Sequence, residues 1–450
     1  MAVATECHSR SGFRFQRKIV VDFEGGEITG DAGLVLLREF DQQLDLTSRI
    51  GKLVADGRDP RYVSHPVVDL VRQRVYQIAA GYEDANDATF LRDDPAMRAV
   101  VHGVDRPLAS QPTISRLENA ADWDSIRLLE REGLEWFCRI GGAIDGRHRD
   151  SSDELVLDVD SSGDPTHGQQ ELAFFNGHYD SWMYHPLFVF EGGSGMLLAS
   201  RLRPGDVGGI RQLLALLRPT VRRLQARFPK RAIAIRADSD FAKPALLDYA
   251  KYAGCSYTIG MPRNPKLEER VEELRHKAEA RWKESGKPVR LYTSFSYQTR
   301  SWSRARRIIA KVEYTAIGKN LRFVVTNRPG RAETIFDWYE QRGQAENYIK
   351  DLKNEVAADR LSCSSYRANA FRLQLHTLAY NLLVLFRRLV LRGTSLASAT
   401  IGTIRLRLLK VGARVIRSVR RLWFHIASGW PGQLLFVDVL DRVAAIRAST

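Results

Sequence analysis

Residues 155–160, LVLDVD, change the period of the sequence and with it the class of fold. Leu155, Leu157 and Val159 fall on one side of an extended chain, and Val156, Asp158 and Asp160 on the other, because successive side chains alternate along a strand. Two more strand-like runs follow, HPLFVFEG (185–192) and GMLLASRL (195–202), and the Gly-Ser-Gly at 193–195 predicts a hairpin between them. A helix is expected over about 209–227 with Pro219 as a kink, then the strand RAIAIRAD (231–238), a helix from about Lys243, and the strand CSYTIG (255–260). Three strands, helix, strand, helix, strand predict an α/β protein whose mixed sheet carries helices on its faces.

Two of these strands end in an acid. Asp160 is followed by Ser161, Ser162 and Gly163, and Asp238 by Ser239. A carboxylate at a strand end leaves the sheet while its apolar neighbours stay buried, so neighbouring strands would bring the two together at one sheet edge. Each has a rival nearby: Asp158, on the same strand face, and Asp164 for the first, Asp240 for the second. His167, His178 and His185 have irregular spacing and no adjacent cysteine, which argues for structural or DNA-contacting roles rather than zinc; His167 follows the first acid and is expected to line the site. No GxSxG elbow and no phosphate-binding glycine loop occurs.

A third acid comes from YEQRGQAENYIKDLK, residues 339–353. Tyr339, Arg342, Glu346, Lys350 and Lys353 are spaced by three, four, four and three residues, which on a continuous helix places all five on one face. One acid among three bases and a tyrosine suits a carboxylate that holds a metal ion beside a phosphate backbone. The plainer reading is a solvated helix laced with ion pairs. Between the last predicted strand and this helix lie residues 262–334, with a charged helix (about 266–284) and the runs RLYTSFSYQ, RRIIAKVEYTA and LRFVVTN, a mostly β insertion.

Outside this region, FRFQRKIVVDF (13–23) predicts a strand, Asp31 a helix cap, and 66–80, 108–119 and 123–140 predict helices. Residues 1–150 are therefore expected to form a mainly helical N-terminal domain, which suits either DNA binding with one helix in the major groove or a plain helical packing module. GGAIDGRHRDSSDE (141–154) is the expected linker into a core of 151–261 and 335–365. The remainder, 366–450, combines an apolar helix (366–392), two short strands from about 404 and a final helix (433–447). Within it Arg387, Arg388, Arg392, Arg405, Arg407, Lys410, Arg414, Arg417, Arg420 and Arg421 occur without an intervening acid, which favours phosphate binding.

The formal charge of +15 over 450 residues and a pI near 9.7 point to a polyanionic partner. The chain lacks both an apolar run of about 18 residues and a signal-peptide core, so cytoplasmic, nucleoid-associated location and no membrane are expected. Cys7, Cys138, Cys255 and Cys363 lack metal-site spacing and are expected to be free thiols.

The pattern Tyr339-x2-Arg342-x3-Glu346-x6-Lys353 resembles the signature of DDE (Asp-Asp-Glu) transposases of the insertion-sequence-4 superfamily. LDVDSSGDPTHGQQ (157–170), FFNGHY (174–179), IRADSDFA (235–242), GYEDANDA (81–88), LASQPTISRLEN (108–119) and LLKVGARV (408–415) resemble its insertion-sequence-1380 group. The resemblance implies a ribonuclease-H-like mixed-sheet catalytic core with a β-rich insertion. It carries the triad onto Asp160, Asp238 and Glu346 as catalytic residues and ligands of Mg2+, for which Mn2+ can substitute. Beside them Tyr339, Arg342, Lys350 and Lys353 would contact DNA, Arg342 by a bidentate grip on a phosphate. The implied activity is binding of terminal inverted repeats, hydrolysis at the element ends to free 3′-OH groups, and joining of these to target double-stranded DNA by a homodimer. The alternatives are a nuclease of the same core that cuts without joining and a catalytically inactive DNA-binding descendant. The chain departs from the family pattern at Asp240, where the family has glycine; this adds negative charge beside the site and removes a flexible turn residue.

Overall fold

A computed structural model describes residues 10–446 except 12, 17, 145–152, 207 and 208. The chain forms two compact units, one of residues 1–51, 57–117 and 390–450, the other of 52–56 and 118–389.

The larger unit is built on one eight-stranded sheet. Its strands are β1 (Leu155–Ser161), β2 (Leu187–Glu191), β3 (Leu197–Arg201), β4 (Ile233–Ala237), β5 (Ser256–Met261), β6 (Val289–Tyr297), β7 (Arg306–Thr315) and β8 (Gly318–Thr326), in the spatial order β6-β7-β8-β5-β4-β1-β2-β3. Only β1, β4 and β5 run parallel to their neighbours among themselves; Ala237 pairs with Val159 and Ile259. These central strands are buried on both sides, as parallel strands covered by helices must be, so the polar-facing residues read from LVLDVD are enclosed too. The region expected as an insertion extends the sheet directly. β8 lies antiparallel to β5, with Gly260 opposite Val324, and β7 and β6 follow outward.

The opposite edge, β3, is closed by helices α1 (Trp123–Ile144) and α6 (Tyr366–Leu389). The Asn381 amide of α6 donates to the Leu197 carbonyl (2.8 Å) and accepts from the Leu197 amide (2.9 Å), taking the place of a ninth strand. α1 comes equally close. A Cβ on Gly133 would lie 2.2 Å from the Leu197 carbonyl oxygen, so only glycine fits there. The apolar stripe read from 366–392 is buried in α6, at Leu373, Leu375, Leu378, Leu382 and Leu385. Helices α2 (Ile210–Arg227) and α3 (Pro244–Tyr252) connect β3 to β4 and β4 to β5, and α2 continues through Pro219.

Several local expectations are corrected. Among the described residues of 13–23 only Val20–Val21 pair, with Arg10–Ser11, in place of the expected strand, and Phe15 and Phe23 are exposed. Asp31 does not cap a helix with its side chain. It accepts from the Tyr82 hydroxyl (2.7 Å) and pairs with Lys410 (2.9 Å). The charged helix of 266–284 is two helices, Pro265–Glu269 and Glu272–Ser285, broken beside the buried Val271. The helix expected to end at Ile140 runs to Ile144, and most of the expected linker, like Cys7, lies outside the described residues. Cys138 and Cys255 are buried free thiols, and the Cys363 thiol donates to Glu118 Oε2 (3.7 Å). Among the described residues no helix is long and apolar enough to cross a membrane.

In the smaller unit the helix Val67–Ala80 is enclosed on nearly every side. Its polar side chains serve loops: Arg72 donates to the Val101 carbonyl (2.9 Å), and Gln73 exchanges two hydrogen bonds with the Ala109 backbone (2.9 and 3.0 Å). It offers no face to a groove.

Candidate active site

Parallel pairing of β1 with β4 brings the C-terminal ends of both strands to one edge of the sheet. Asp160 lies at the end of β1, and Asp238 directly follows β4, where its Oδ1 accepts from the Asp240 amide (2.9 Å) and caps the single turn Ser239–Phe241. The third acid arrives from the same side. Arg342 donates through Nη1 to Asp160 Oδ2 (3.1 Å) and through Nη2 to Glu346 Oε1 (3.0 Å), so one guanidinium bridges two of the expected three carboxylates.

The segment carrying Glu346 is not the single helix that its spacing suggested. α4 (Ala332–Glu340) ends before a turn at 341–342, α5 (Gly343–Lys350) follows, and Asp351–Glu355 form a wide π turn. α4 is fixed by Ile335 and Phe336, which pack on Ile309 of β7 and Val324 of β8. The break lets α5 turn toward β1 while α4 stays on that apolar face. The π turn, of a kind common at functional sites, re-aims Lys353, whose Nζ donates to Ser162 Oγ (3.1 Å) and to the Gly163 carbonyl (2.5 Å). Lys353 therefore holds the turn that follows Asp160. Lys350 is exposed on α5. The Tyr339 ring makes an edge-to-face contact with Phe336, centroids 5.9 Å apart, and Tyr339 lines the cleft beside Asp238.

A cleft of about 520 Å³ opens between these parts, lined by Asp238, Gly260, Arg263, Arg322, Tyr339, Arg342 and Glu346. Burial raises the Asp160 carboxyl to about 6; Arg342 opposes this, and the charges of Asp238 and Glu346 add to it. Burial, then Asp240, also raises Asp238. For Arg342 burial alone would favour loss of the proton, but the surrounding Asp160, Tyr339, Asp238 and Glu346 outweigh it and hold the guanidinium above its ordinary value. Among the described residues no three acid, histidine or cysteine side chains already stand together as a metal cage. The donor chemistry nonetheless fits a hard divalent cation, since every ligand offered is a carboxylate oxygen and the acids repel one another. Arg342 supplies the countercharge in this conformation.

The rival acids face elsewhere. Asp158 is fully buried and gripped at both oxygens by Arg236 (2.6 and 2.7 Å), its cross-strand partner, which also donates to the Trp338 carbonyl (2.9 Å). Asp164 is buried near Lys353, and burial pushes its carboxyl well up. Asp240 lines a second cavity, of about 400 Å³, with His185, Arg203 and Lys243. Burial holds the His185 imidazole down near 4, so it is neutral at pH 7. His178 packs edge-on against Tyr179 (4.9 Å), and His167 is exposed on its loop.

One group close to the acids was not singled out from the sequence. Short strands Phe174–Asn176 and Ser181–Tyr184 form a hairpin. It places the Tyr179 hydroxyl where Asp240, Asp160 and Asp238 all act on it, and leaves Phe175 and Trp182 half exposed. The Asn176-Gly177 pair between aromatic residues was the available signal.

The packing around the acids can be tested at two positions. A Cβ on Gly260 would stand 2.8 Å from the Tyr339 hydroxyl and 2.8 Å from the Ser239 amide nitrogen. Gly260→Ala is expected to displace Tyr339 from Asp238 and to destabilise by roughly 1–3 kcal/mol, read by thermal denaturation; an unchanged melting point would show that the close approach relaxes freely. Asp160→Asn is expected to stabilise the metal-free protein above pH 6, by up to roughly 3 kcal/mol, a figure that already includes the opposing charge of Arg342. The folded carboxyl titrates near 6 against 3.8 unfolded, so its ionisation costs stability as pH rises through that interval. The melting gap between variant and wild type should close as pH falls toward 4; a gap independent of pH would contradict the assignment.

Acids at two strand ends, faced by an acid from a helix and an arginine from the turn before it in a strongly basic chain, define a nucleic-acid-processing site. The family model described as transposase DDE domain group 1 matches residues 12–448, and the chain belongs to that family: it is a DDE transposase. The solved structure of a piggyBac transposase synaptic complex with hairpin DNA, determined by cryo-EM, is similar at 11% identity and a TM-score of 0.43, over 90% of this chain and 83% of that one. Comparison with curated proteins gives no match.

Proposed function

We propose that this transposase binds the terminal inverted repeats of its own element, hydrolyses the phosphodiester at each end to free a 3′-OH, and joins that hydroxyl to target DNA. The observation that carries the proposal is the delivery of Asp160 and Asp238 to one sheet edge, with Glu346 tied to Asp160 through Arg342. Asp160, Asp238 and Glu346 would hold the divalent ion, Mg2+ or Mn2+, after Glu346 turns from Arg342. The ion would supply activation of the attacking oxygen and stabilisation of the leaving one.

The chain's own residues do the rest. Arg342, released from the acids, grips the phosphate beside the scissile bond with its planar fork. The Tyr339 hydroxyl is placed to hydrogen-bond the same phosphate, and exposed Lys350 neutralises the backbone further along. Lys353 keeps the Asp160 turn rigid through Ser162 and Gly163. In this reading the catalytic core, 151–261 with 335–365, is ribonuclease-H-like, the β region 262–334 flanks it, and residues 1–150 and 366–450 grip the duplex. Six motif stretches favour the insertion-sequence-1380 group. Joining two ends calls for a homodimer on DNA, and a nucleoid substrate for a cytoplasmic enzyme.

The test is incubation of the purified chain with duplexes carrying the element's ends and a supercoiled target, with and without Mg2+. Metal-dependent nicking followed by joined products supports the proposal. Nicking without joining would make it a nuclease, and binding alone would make it an inactive descendant.

A further inference from the structure

The basic residues between Arg387 and Arg421 do not form one surface. Arg387 is buried near Asp351, Arg388 donates to the Gly193 and Ser194 carbonyls, Arg405 donates to the Ala79 carbonyl, and Lys410 pairs with Asp31. Much of the remaining exposed charge is concentrated on one hairpin of the smaller unit, β9 (Ala413–Arg417) and β10 (Leu422–Ile426).

This ribbon has two unlike faces. Ala413 and Val415 are buried beneath it. On the outer face Arg414 stands opposite His425, and Ile416 opposite Trp423. The Trp423 and His425 rings are nearly parallel, 6.1 Å apart and inclined by 12°, and the Arg421 guanidinium lies 5.5 Å from the Trp423 centroid. The turn is closed by the Ser418 amide to the Arg421 carbonyl (2.9 Å) and the Arg421 amide to Ser418 Oγ (3.1 Å), leaving Val419 and Arg420 exposed at the tip. Among the described residues only Arg417 of this ribbon has an acid partner, Asp105. No Asp or Glu occurs from 388 to 437.

We propose that β9–β10 is a DNA-reading element of this transposase, laid into the major groove of a duplex with Arg414, Arg420 and Arg421 on the phosphates. The inference rests on the DNA-joining function proposed above and adds the surface that holds the substrate. Ile28–Thr29 pair with β9 at Ala413 and Arg414 as a third strand, and the Val415 amide donates to the Glu27 carbonyl (2.7 Å), so the hairpin is two-stranded only from Ile416 outward; that distal ribbon matches a groove about 12 Å wide. Arginines on the outer face and at the tip reach its phosphate walls. The flat Trp423 and the apolar Ile416 face the base edges, where thymine methyl groups offer apolar contact. The helix Val67–Ala80, enclosed as it is, cannot serve this purpose.

The test uses the full chain and a random-sequence duplex of about 30 base pairs, long enough to present several phosphates to the ribbon. For Arg420→Gln/Arg421→Gln, log Kobs against log salt should become shallower by about 1.8, or 0.9 for each phosphate no longer neutralised, and lysine at both positions should restore most of the slope. Methylation of guanine N7, which lies in the major groove, should weaken the wild type more than Trp423→Ala. An A-form RNA duplex of the same sequence should compete poorly, because its major groove is too narrow. Both tip positions are exposed, so unchanged circular dichroism is expected. Unchanged slope and affinity in the glutamine variant, with the wild type binding DNA well, would overturn the ribbon assignment alone. Equal competition by RNA would overturn its groove. Failure of the wild type to bind duplex DNA at all would remove the DNA-joining function as well.

Discussion

Glu346→Gln is expected to abolish DNA-end cleavage, by a thousandfold or more, equivalent to about 4 kcal/mol of transition-state stabilisation, while leaving duplex binding intact. Glutamine has the same shape as glutamate, and its amide oxygen can still accept from Arg342. The Glu346 side chain is 55% exposed, so removing its charge should scarcely affect folding. What changes is the negative charge offered to a cation beside Asp160. Retained binding with abolished cleavage, measured on labelled end duplexes, identifies a charge that acts in the chemical step. Cleavage at the wild-type rate would exclude Glu346 from the catalytic set and reduce the α5 stripe to an ordinary ion-paired helix.

Arg236→Ala should produce the largest loss of stability, roughly 3–5 kcal/mol. The pair it breaks is wholly enclosed, the two side chains being 4% and 0% exposed. Asp158 would then remain buried without its cation, with Glu191 adding further repulsion. The Trp338 carbonyl would lose its donor, and the Trp338 ring the guanidinium 4.9 Å from its centroid. Urea denaturation gives the magnitude directly. The double variant Asp158→Leu/Arg236→Met should recover much of the loss, since apolar groups need no partner there. A cost below about 1 kcal/mol for Arg236→Ala would mean that water reaches Asp158.

The contrast between Asp158 and Asp160 shows what the sequence could and could not convey. Alternation put both on one strand face, and composition made both candidates. Only the neighbour separates them: β4 presents Arg236 opposite Asp158, whereas nothing on β4 pairs with Asp160 beyond Ala237. That relation depends on which strands are adjacent, which no local pattern encodes. The central strands and α6 were legible because each carries its own apolar period. The broken helix at 341–342 was not, since Tyr339, Arg342 and Glu346 keep helical spacing across the break while the packing of Phe336 dictates the turn. The basic tail was legible as charge but not as surface. Arg405 and Lys410 satisfy a buried carbonyl and a buried acid, and a charge count cannot distinguish those roles from phosphate binding. The mixed α/β sheet, the placement of Asp160 and Asp238 at strand ends and membership of the DDE transposase family were thus readable from the sequence, whereas the bridge from Arg342 to Asp160 and Glu346 is expressed only in side-chain geometry.

The strand order β8-β5-β4-β1 has a consequence for biosynthesis. The partners that complete the centre of the sheet come from residues 233–237, 256–261 and 318–326, and the arginine that bridges Asp160 to Glu346 follows later still, at 342. Pairings this distant along the chain form slowly. A nascent polypeptide that already contains both aspartates therefore lacks the helix that faces them, and the cleft is assembled only after synthesis has passed residue 350, more than a hundred residues beyond Asp238.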